Sequence, residues 1–570
     1  MSIVAGGVQF LIRARVLFAM GALALVLNVH PVEAATCTMT PGVVNATAFQ
    51  NLLNSCEGQT ITFASGIYRF VPNGHEQGFS ISAGTTLQGA GDSSLPNPTI
   101  FQVAYTGNYQ ALLWIENVSN VTVEGIAFEG IDDTVQPPRS FTSECPNDPD
   151  YGRAFFIKSD EQTSPVQYAS VENITIQKNS FRDFNASSWI AIEAAAGSPG
   201  IGIQSEIAIA QNSFYTDSDL SSSANPGHSC IGSLQKTGDF TGAYGAWMVS
   251  IRGDWDIDPT TKVVTNGFVR NVSIASNDPM NASYMEGAVA IWANVSRVSV
   301  QYNNITGAGD QLPAVTSQPP SASASPPYEP KRYAIVVYDL SHGQDHVQPP
   351  DTIWIVGNTI TNAESCGVYT AGATNLDINS NNISGQTDPW DQVLPKGAIA
   401  LNASTTMPSD PVMGNTLSNN YVGLAIAGNG PPPGKVGTNV TVSSNTIDVP
   451  GQITPPSGTT GSFGMKLWSA NSHDSSATAG FMSVQNVTVT TRATSGATSV
   501  AGYDTKFSAS NPSSLGNLTQ NGWLASGGAN PGLSWSASPG STPFTNFSDV
   551  PNFTFNNITA NGGPQNAFWH

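Results

Sequence analysis

The chain has 570 residues, enough for several ordinary domains or one long repeat array. It carries 40 acidic against 20 basic residues, a formal net charge of −20, and only 11 % of its residues are charged. That balance excludes nucleic acid and an anionic membrane surface as natural partners. The steady recurrence of β-branched and aromatic residues excludes a disordered chain.

Residues 1–34 read as a secretory signal. Arg13 and Arg15 form the positive end, VLFAMGALALVLNV (16–29) the apolar core, and Val32-Glu33-Ala34 the small-residue cleavage region. The apolar core is too short for a comfortable membrane span, and no later run is apolar enough for one, so a secreted protein is expected. After cleavage all five cysteines remain, at 37, 56, 145, 230 and 366. An exported protein keeps disulfides. Cys37–Cys56 would pin the amino-terminal segment, Cys145 and Cys230 lie in long loops where they can pair, and Cys366 opens a strand and reads as a buried thiol.

From residue 171 one pattern keeps returning. VENITIQKNSF (171–181) alternates apolar and polar residues, breaks at an Asn and resumes; SEIAIAQNSF (205–214), VRNVSIASND (269–278), VSRVSVQYNNI (295–305), DTIWIVGNTI (351–360), TNLDINSNNI (374–383) and TNVTVSSNTI (438–447) repeat it. Period two means one side chain in and the next out. Constant strands with variable loops suit a coil that stacks on itself. In that picture the Asn takes the tight or left-handed turn conformation, and its amide bonds to the Asn of the coils above and below. The expected ladder is Asn179, Asn212, Asn277, Asn303, Asn358, Asn381 and Asn445.

GQTITFASGIYRF (58–70), ISAGTTLQGAG (81–91) and the Asn-punctuated coils resemble the right-handed parallel β-helix of the pectin lyase-like superfamily. The expected fold class is therefore all-β: a single-stranded right-handed parallel β-helix of about ten or more coils, with an Asn ladder and long loops. Residues 1–34 would be the signal, 35–110 an amino-terminal cap and first coils, 111–490 the β-helix, and 491–570 a carboxy-terminal coil or capping tail. The resemblance also orders each coil: a first strand, a second, the Asn turn, a third, then a long loop. First strands would be ALLWIE (111–116), AFFIK (154–158), WIAIE (189–193), WMVSIR (247–252), GAVAIW (287–292), YAIVVY (333–338), CGVYTA (366–371), GAIALN (397–402), GLAIA (423–427) and GMKLW (464–468). In relatives this sheet carries the substrate cleft, which implies a polysaccharide or glycan partner here. The many Asn-X-Ser/Thr triplets follow from Asn-Val-Thr-Val strands and are not read as glycosylation sites.

Alternation assigns Ile190/Ile192, Val249/Ile251, Val289/Ile291, Ile335/Val337 and Ile399/Leu401 to the interior. Two columns face outward. One reads Trp114, Phe156, Ala191, Ser250, Ala290, Val336, Tyr369, Ala400 and resembles a groove floor, small in the middle. The other reads Glu116, Lys158, Glu193, Arg252, Trp292, Tyr338, Ala371, Asn402 and passes from alternating charge to aromatics. Sugar rings stack on aromatic faces while charged groups fix their hydroxyls or carboxylates, so Glu193, Trp292, Tyr338, Tyr369 and Asn402 are expected to bind substrate. The alternative is a self-neutralising ladder beside a surface aromatic pair.

Long loops at 215–245 and 308–332 lead into first strands. Asp254, Asp256 and Asp258 follow another first strand with the alternating-carboxylate look of a Ca²⁺ site, although Pro259 and Thr265 depart from an EF-hand. Asp339, His342, Asp345 and His346 follow a later one. Two chemistries stay open. A lyase would use Arg252 or Lys158 as base, with Ca²⁺ or a cation neutralising a uronate carboxylate. A hydrolase would pair Asp339 with another carboxyl or use His342 as general base, its carboxyls about 5–5.5 or 6.5–9.5 Å apart. The Asn-Thr-Asp, Asp-Asp, Gly-His-Gly and Arg-Ile-Lys motifs of the pectin hydrolases are absent, and Trp292, Tyr338 and Asn402 stand where pectate lyases place Asp. The rival reading is a non-catalytic glycan-binding or adhesin-like solenoid. No oligomeric state is read from the sequence.

Overall fold

Each coil lays three short strands around an apolar interior, and each strand bonds in register to the same strand of the next coil. The computed structural model describes residues 37–70, 78–103 and 111–130, then the strands and short turns of successive coils between 153 and 449. Beyond 449 it describes the backbone of strands between Ser462 and Asn561. Residues 1–36, and with them the expected signal segment, lie outside the described residues, as do Cys145 and Cys230.

Among the described residues the strands form long sheets of 12, 15 and 14 members. They are named here by their order within a coil: the first sheet holds Ala111–Glu116, the second Val121–Glu124 and the third Ala127–Glu129. Pairing along all three is parallel, apart from Trp255–Ile257, which runs antiparallel to Val264–Ala275 in the second sheet. The chain is a right-handed parallel β-helix. Val500–Phe507 adds to the first sheet, and Phe553–Asn556 and Thr559–Asn561 extend the second and third. Among the described residues no helix is long and apolar enough to cross a membrane.

The amino-terminal end is closed by the helix Ala46–Ser55. The Asn45 side chain caps it by accepting the Ala48 N–H at 2.9 Å. Phe49 on its buried face meets Phe70, Phe79, Phe63 and Phe101 at centroid distances of 4.9–6.2 Å. A Cys37–Cys56 disulfide ties the first strand to the end of this helix, and the Tyr68 hydroxyl donates to the carbonyls of Met39 and Ala64. Cys366 is a buried thiol.

The interior changes character along the coils. In one in-register column of the third sheet, Tyr68, Phe101, Phe128, Phe181 and Phe214 are followed by Met280, Ile305, Ile360, Ile383 and Leu417. Phe128, Phe181 and Phe214 stack at 5.2 and 4.9 Å. The pairs that alternation points inward, such as Ile190/Ile192 and Ile335/Val337, sit in this core at 0 % exposure.

The Asn turn differs from the expected geometry in one respect. The left-handed backbone belongs to the residue before each Asn: Lys178 (φ 54°), Gln211 (57°), Ser276 (55°), Tyr302 (55°), Ser380 (56°) and Ser444 (55°), with Gly357 and Gly414 at two further turns. The Asn itself is thereby turned inward. Asn179 donates through its backbone N–H and its Nδ2 to Oδ1 of Asn212, at 3.0 and 3.2 Å, and through Nδ2 to the Val123 carbonyl of the preceding coil. The same bonds join Asn212, Asn277, Asn303, Asn358, Asn381, Asn415 and Asn445. Asn415 is absent from the expected set because the strand before it is only Val412–Met413, too short to show an alternating run.

Candidate functional site

The outer face of the first sheet is built by strand register. Glu116, Lys158, Glu193 and Arg252 stand opposite one another on successive strands, about 4.8 Å apart. The row continues to Trp292, whose backbone N–H donates to the Ile251 carbonyl at 2.9 Å, and Tyr338 is in register with Ala371 and then Asn402. Beside it run Trp114, Phe156, Ala191, Ser250, Ala290, Val336, Tyr369 and Ala400, also in unbroken register. Glu116, Lys158, Glu193, Arg252 and Tyr338 are half-buried.

A third outward column escaped the sequence reading. Two consecutive residues near the start of each first strand belong to the interior: Leu112 and Leu113, Ala154 and Phe155, Met248 and Val249, Ala334 and Ile335. Period two therefore fails there, and the residue before each pair is turned outward. Those residues are Ala111, Arg153, Ser188, Trp247, Gly287, Tyr333 and Cys366. The doubled apolar residues after Arg153 and Trp247 were the available signal.

Arg153 is 2 % exposed, and its Nη2 lies 3.5 Å from Oε1 of Glu193. Its guanidinium carbon sits 4.5 Å from the centre of the Phe156 ring, with Lys158 Nζ at 5.9 Å from the same ring. Trp114 meets Phe156 edge-on at 4.8 Å. The Glu193 backbone is fixed too, since the Gln204 side chain donates to its carbonyl.

The aromatic end of the face is one connected cluster. Trp247 and Trp292 meet edge-on at 6.1 Å, Trp292 and Tyr338 at 6.4 Å, Tyr338 and Tyr369 stack at 6.5 Å, and Tyr369 and Tyr333 stack at 4.6 Å. Trp292 Nε1 donates to Ser250 Oγ at 3.0 Å. Trp247 lies across Gly287, where any Cβ would fall 2.1 Å from its ring, so the close approach demands glycine. Trp292 and Tyr369 are buried at 4 % and 0 % exposure. Tyr369 is stacked with Tyr333 and Tyr338, Trp292 makes edge contacts to Trp247 and Tyr338, and Tyr338 is the half-buried member.

Of the other expected site residues, Asp254, Asp258, Asp339 and His342 lie outside the described residues. Asp256 sits in Trp255–Ile257 with its backbone opposite Thr265, and Asn402 ends its strand opposite Ala371; their side chains are outside the description. Among the described residues no group of three or more His, Cys, Asp or Glu is placed to hold a metal ion.

No protein-family model and no curated protein sequence matches the chain. Solved structures do resemble it. The A-module of mannuronan C-5 epimerase AlgE6 from Azotobacter vinelandii is 12 % identical, with 92 % of this chain and 97 % of that one covered at a TM-score of 0.46. The endo-xylogalacturonan hydrolase of Aspergillus tubingensis is 10 % identical, with 92 % of each chain covered and a TM-score of 0.28. The catalytic unit of an α-1,3-glucanase from Streptomyces thermodiastaticus is 12 % identical over 92 % of this chain and 67 % of that one, at a TM-score of 0.36. The parallel β-helix is shown by the chain's own three long, in-register sheets, and a fold of this kind does not fix an activity.

Proposed function

We propose that the protein is a secreted carbohydrate-active enzyme that cleaves a polysaccharide along the outer face of its first sheet. One observation carries the reading. A single in-register row alternates charge through Glu116, Lys158, Glu193 and Arg252 and leads directly into the aromatic cluster at Trp292 and Tyr338. Charged groups to hold hydroxyls or carboxylates and an aromatic end beside them are what a sugar chain needs from a surface.

The row holds the groups for either chemistry. In β-elimination Lys158 or Arg252, in its neutral form, takes the C5 proton beside a uronate carboxylate as the C4–O glycosidic bond breaks and the leaving oxygen is protonated from solvent, and the other side chain, as a cation, balances that carboxylate. In hydrolysis Glu116 and Glu193 stand two strand steps apart, about 9.6 Å along the sheet, close to the separation of an inverting pair. Asp339 and His342, which follow Tyr338 in the sequence, enter the proposal as acid–base groups. A Ca²⁺ ion at Asp254, Asp256 and Asp258 enters it as well, on the alternate spacing of the three carboxylates in the sequence. Calcium titration of chelator-treated protein tests that part.

The deciding experiment presents purified protein with uronate and neutral polysaccharides, following the absorbance of unsaturated ends for elimination and reducing ends for hydrolysis. Turnover is expected with one of them, abolished in Arg252→Ala without change in melting temperature. A polysaccharide bound but never cut favours the non-catalytic glycan-binding solenoid. Neither binding nor cleavage across the panel ends the carbohydrate reading.

A further inference from the structure

We infer that the indole N–H groups of Trp114 and Trp247 are ligand donors, each hydrogen-bonding an oxygen atom of one bound oligosaccharide. The inference rests on the glycan reading above and adds to it which atoms meet the sugar and how long the sugar must be.

On the outer face of the first sheet Trp114 shares an in-register column with Phe156 and the short residues Ala191, Ser250 and Ala290, and Trp247 opens the strand that holds Ser250. Trp114 is 6 % exposed and Trp247 2 % exposed, and neither Nε1 has a hydrogen-bond partner. Other buried indoles of the same sheet are satisfied: Trp189 donates to the Phe184 carbonyl at 2.7 Å and Trp292 to Ser250 Oγ at 3.0 Å. Buried donors are almost always paired, because leaving one unpaired forfeits its hydration. An indole N–H only donates, so the missing partner is an acceptor. Both orphans lie on the one face where charge, aromatic rings and a small-residue floor coincide. A saccharide offers acceptors of that kind in its hydroxyl, ring and carboxylate oxygens.

The spacing sets the class of ligand. The strands Ala111–Glu116 and Trp247–Gly253 are separated in the sheet by Arg153–Ser159 and Ser188–Ala194. That is three strand steps, about 14 Å. A monosaccharide reaches at most one of the donors, whereas an oligosaccharide lying along the sheet reaches both.

The test titrates the full-length secreted protein with galacturonate, mannuronate and α-1,3-glucose oligosaccharides, each series running upward from the monosaccharide. Binding is measured on the wild type first. Trp114→Phe and Trp247→Phe are each expected to weaken the longer oligosaccharides roughly 3- to 10-fold, and the double variant by both factors. The monosaccharide is expected to respond to one substitution at most. Melting temperatures are expected to hold or rise, since each variant keeps a ring and loses an unpaired donor. Unchanged affinity in both variants, with wild type binding, overturns the inference and leaves the groove reading standing. Should either variant not fold, the indole N–H resonances of the wild type decide: a spectrum unmoved by saturating oligosaccharide overturns it equally. A wild type that binds no saccharide removes the glycan reading itself, and this inference with it.

Discussion

Arg153 and Glu193 meet at 3.5 Å between Nη2 and Oε1 on the outer face of the first sheet, the arginine almost wholly buried and lying over the Phe156 ring at 4.5 Å. The pair joins the strand-start column to the charged row and holds the central carboxylate of that row. Arg153→Met is expected to lower stability by about 1–3 kcal/mol through loss of a charge-assisted bond. Arg153→Lys should recover only part of this, because an ammonium cannot lie flat on the ring. Urea midpoints of the three proteins check it, and a Met variant as stable as wild type would show the pair to be worth nothing.

Asn358 anchors the middle of the Asn series. Its backbone N–H and Nδ2 both donate to Asn381 Oδ1 at 3.0 Å, Nδ2 also donates to the Val300 carbonyl at 2.8 Å, and Oδ1 accepts from Asn303. Asn358→Ala leaves buried backbone groups without partners and is expected to cost about 1–3 kcal/mol. Equilibrium denaturation measures it, while turnover per folded molecule should stay near wild type because the residue lies inside the coil.

Thr370 points the other way. It stands in register with Val337 and Leu401, both interior residues, and is fully buried with no partner for its hydroxyl. Thr370→Val keeps the shape and removes the unpaired group, so it is expected to stabilise by about 1 kcal/mol. A fall in melting temperature would mean the hydroxyl is satisfied in solution.

Burial pushes the Tyr68 phenol up to about 12, against a smaller downward pull from a backbone hydrogen bond at Ala64. Its folded value thus lies above the ordinary one near 10. The stability this represents is fully present below about pH 10 and is lost as pH rises towards 12. Tyr68→Phe should flatten that part of the stability–pH curve, and an unchanged alkaline limb would locate the effect elsewhere.

The aromatic cluster shows where sequence reading stops. Trp292, Tyr338 and Tyr369 were legible as outward residues, because beyond the doubled inward pair those strands keep period two. Trp247 and Tyr333 were not, because a doubled inward pair shifts the pattern by one residue at the strand start. Arg153 was missed for the same reason, although it is the residue that holds Glu193.

The sequence alone determined the solenoid, since alternation and the recurrent Asn are local signals that stacking simply repeats. It also determined which residues share an outward row, since parallel register copies strand position from coil to coil. Tertiary structure decided which of those side chains remain accessible, where the chain turns left-handed, and which donors are left without acceptors. Those outcomes depend on what packs against a residue from distant coils, such as the Trp247 ring lying over Gly287, and no spacing along the chain encodes them.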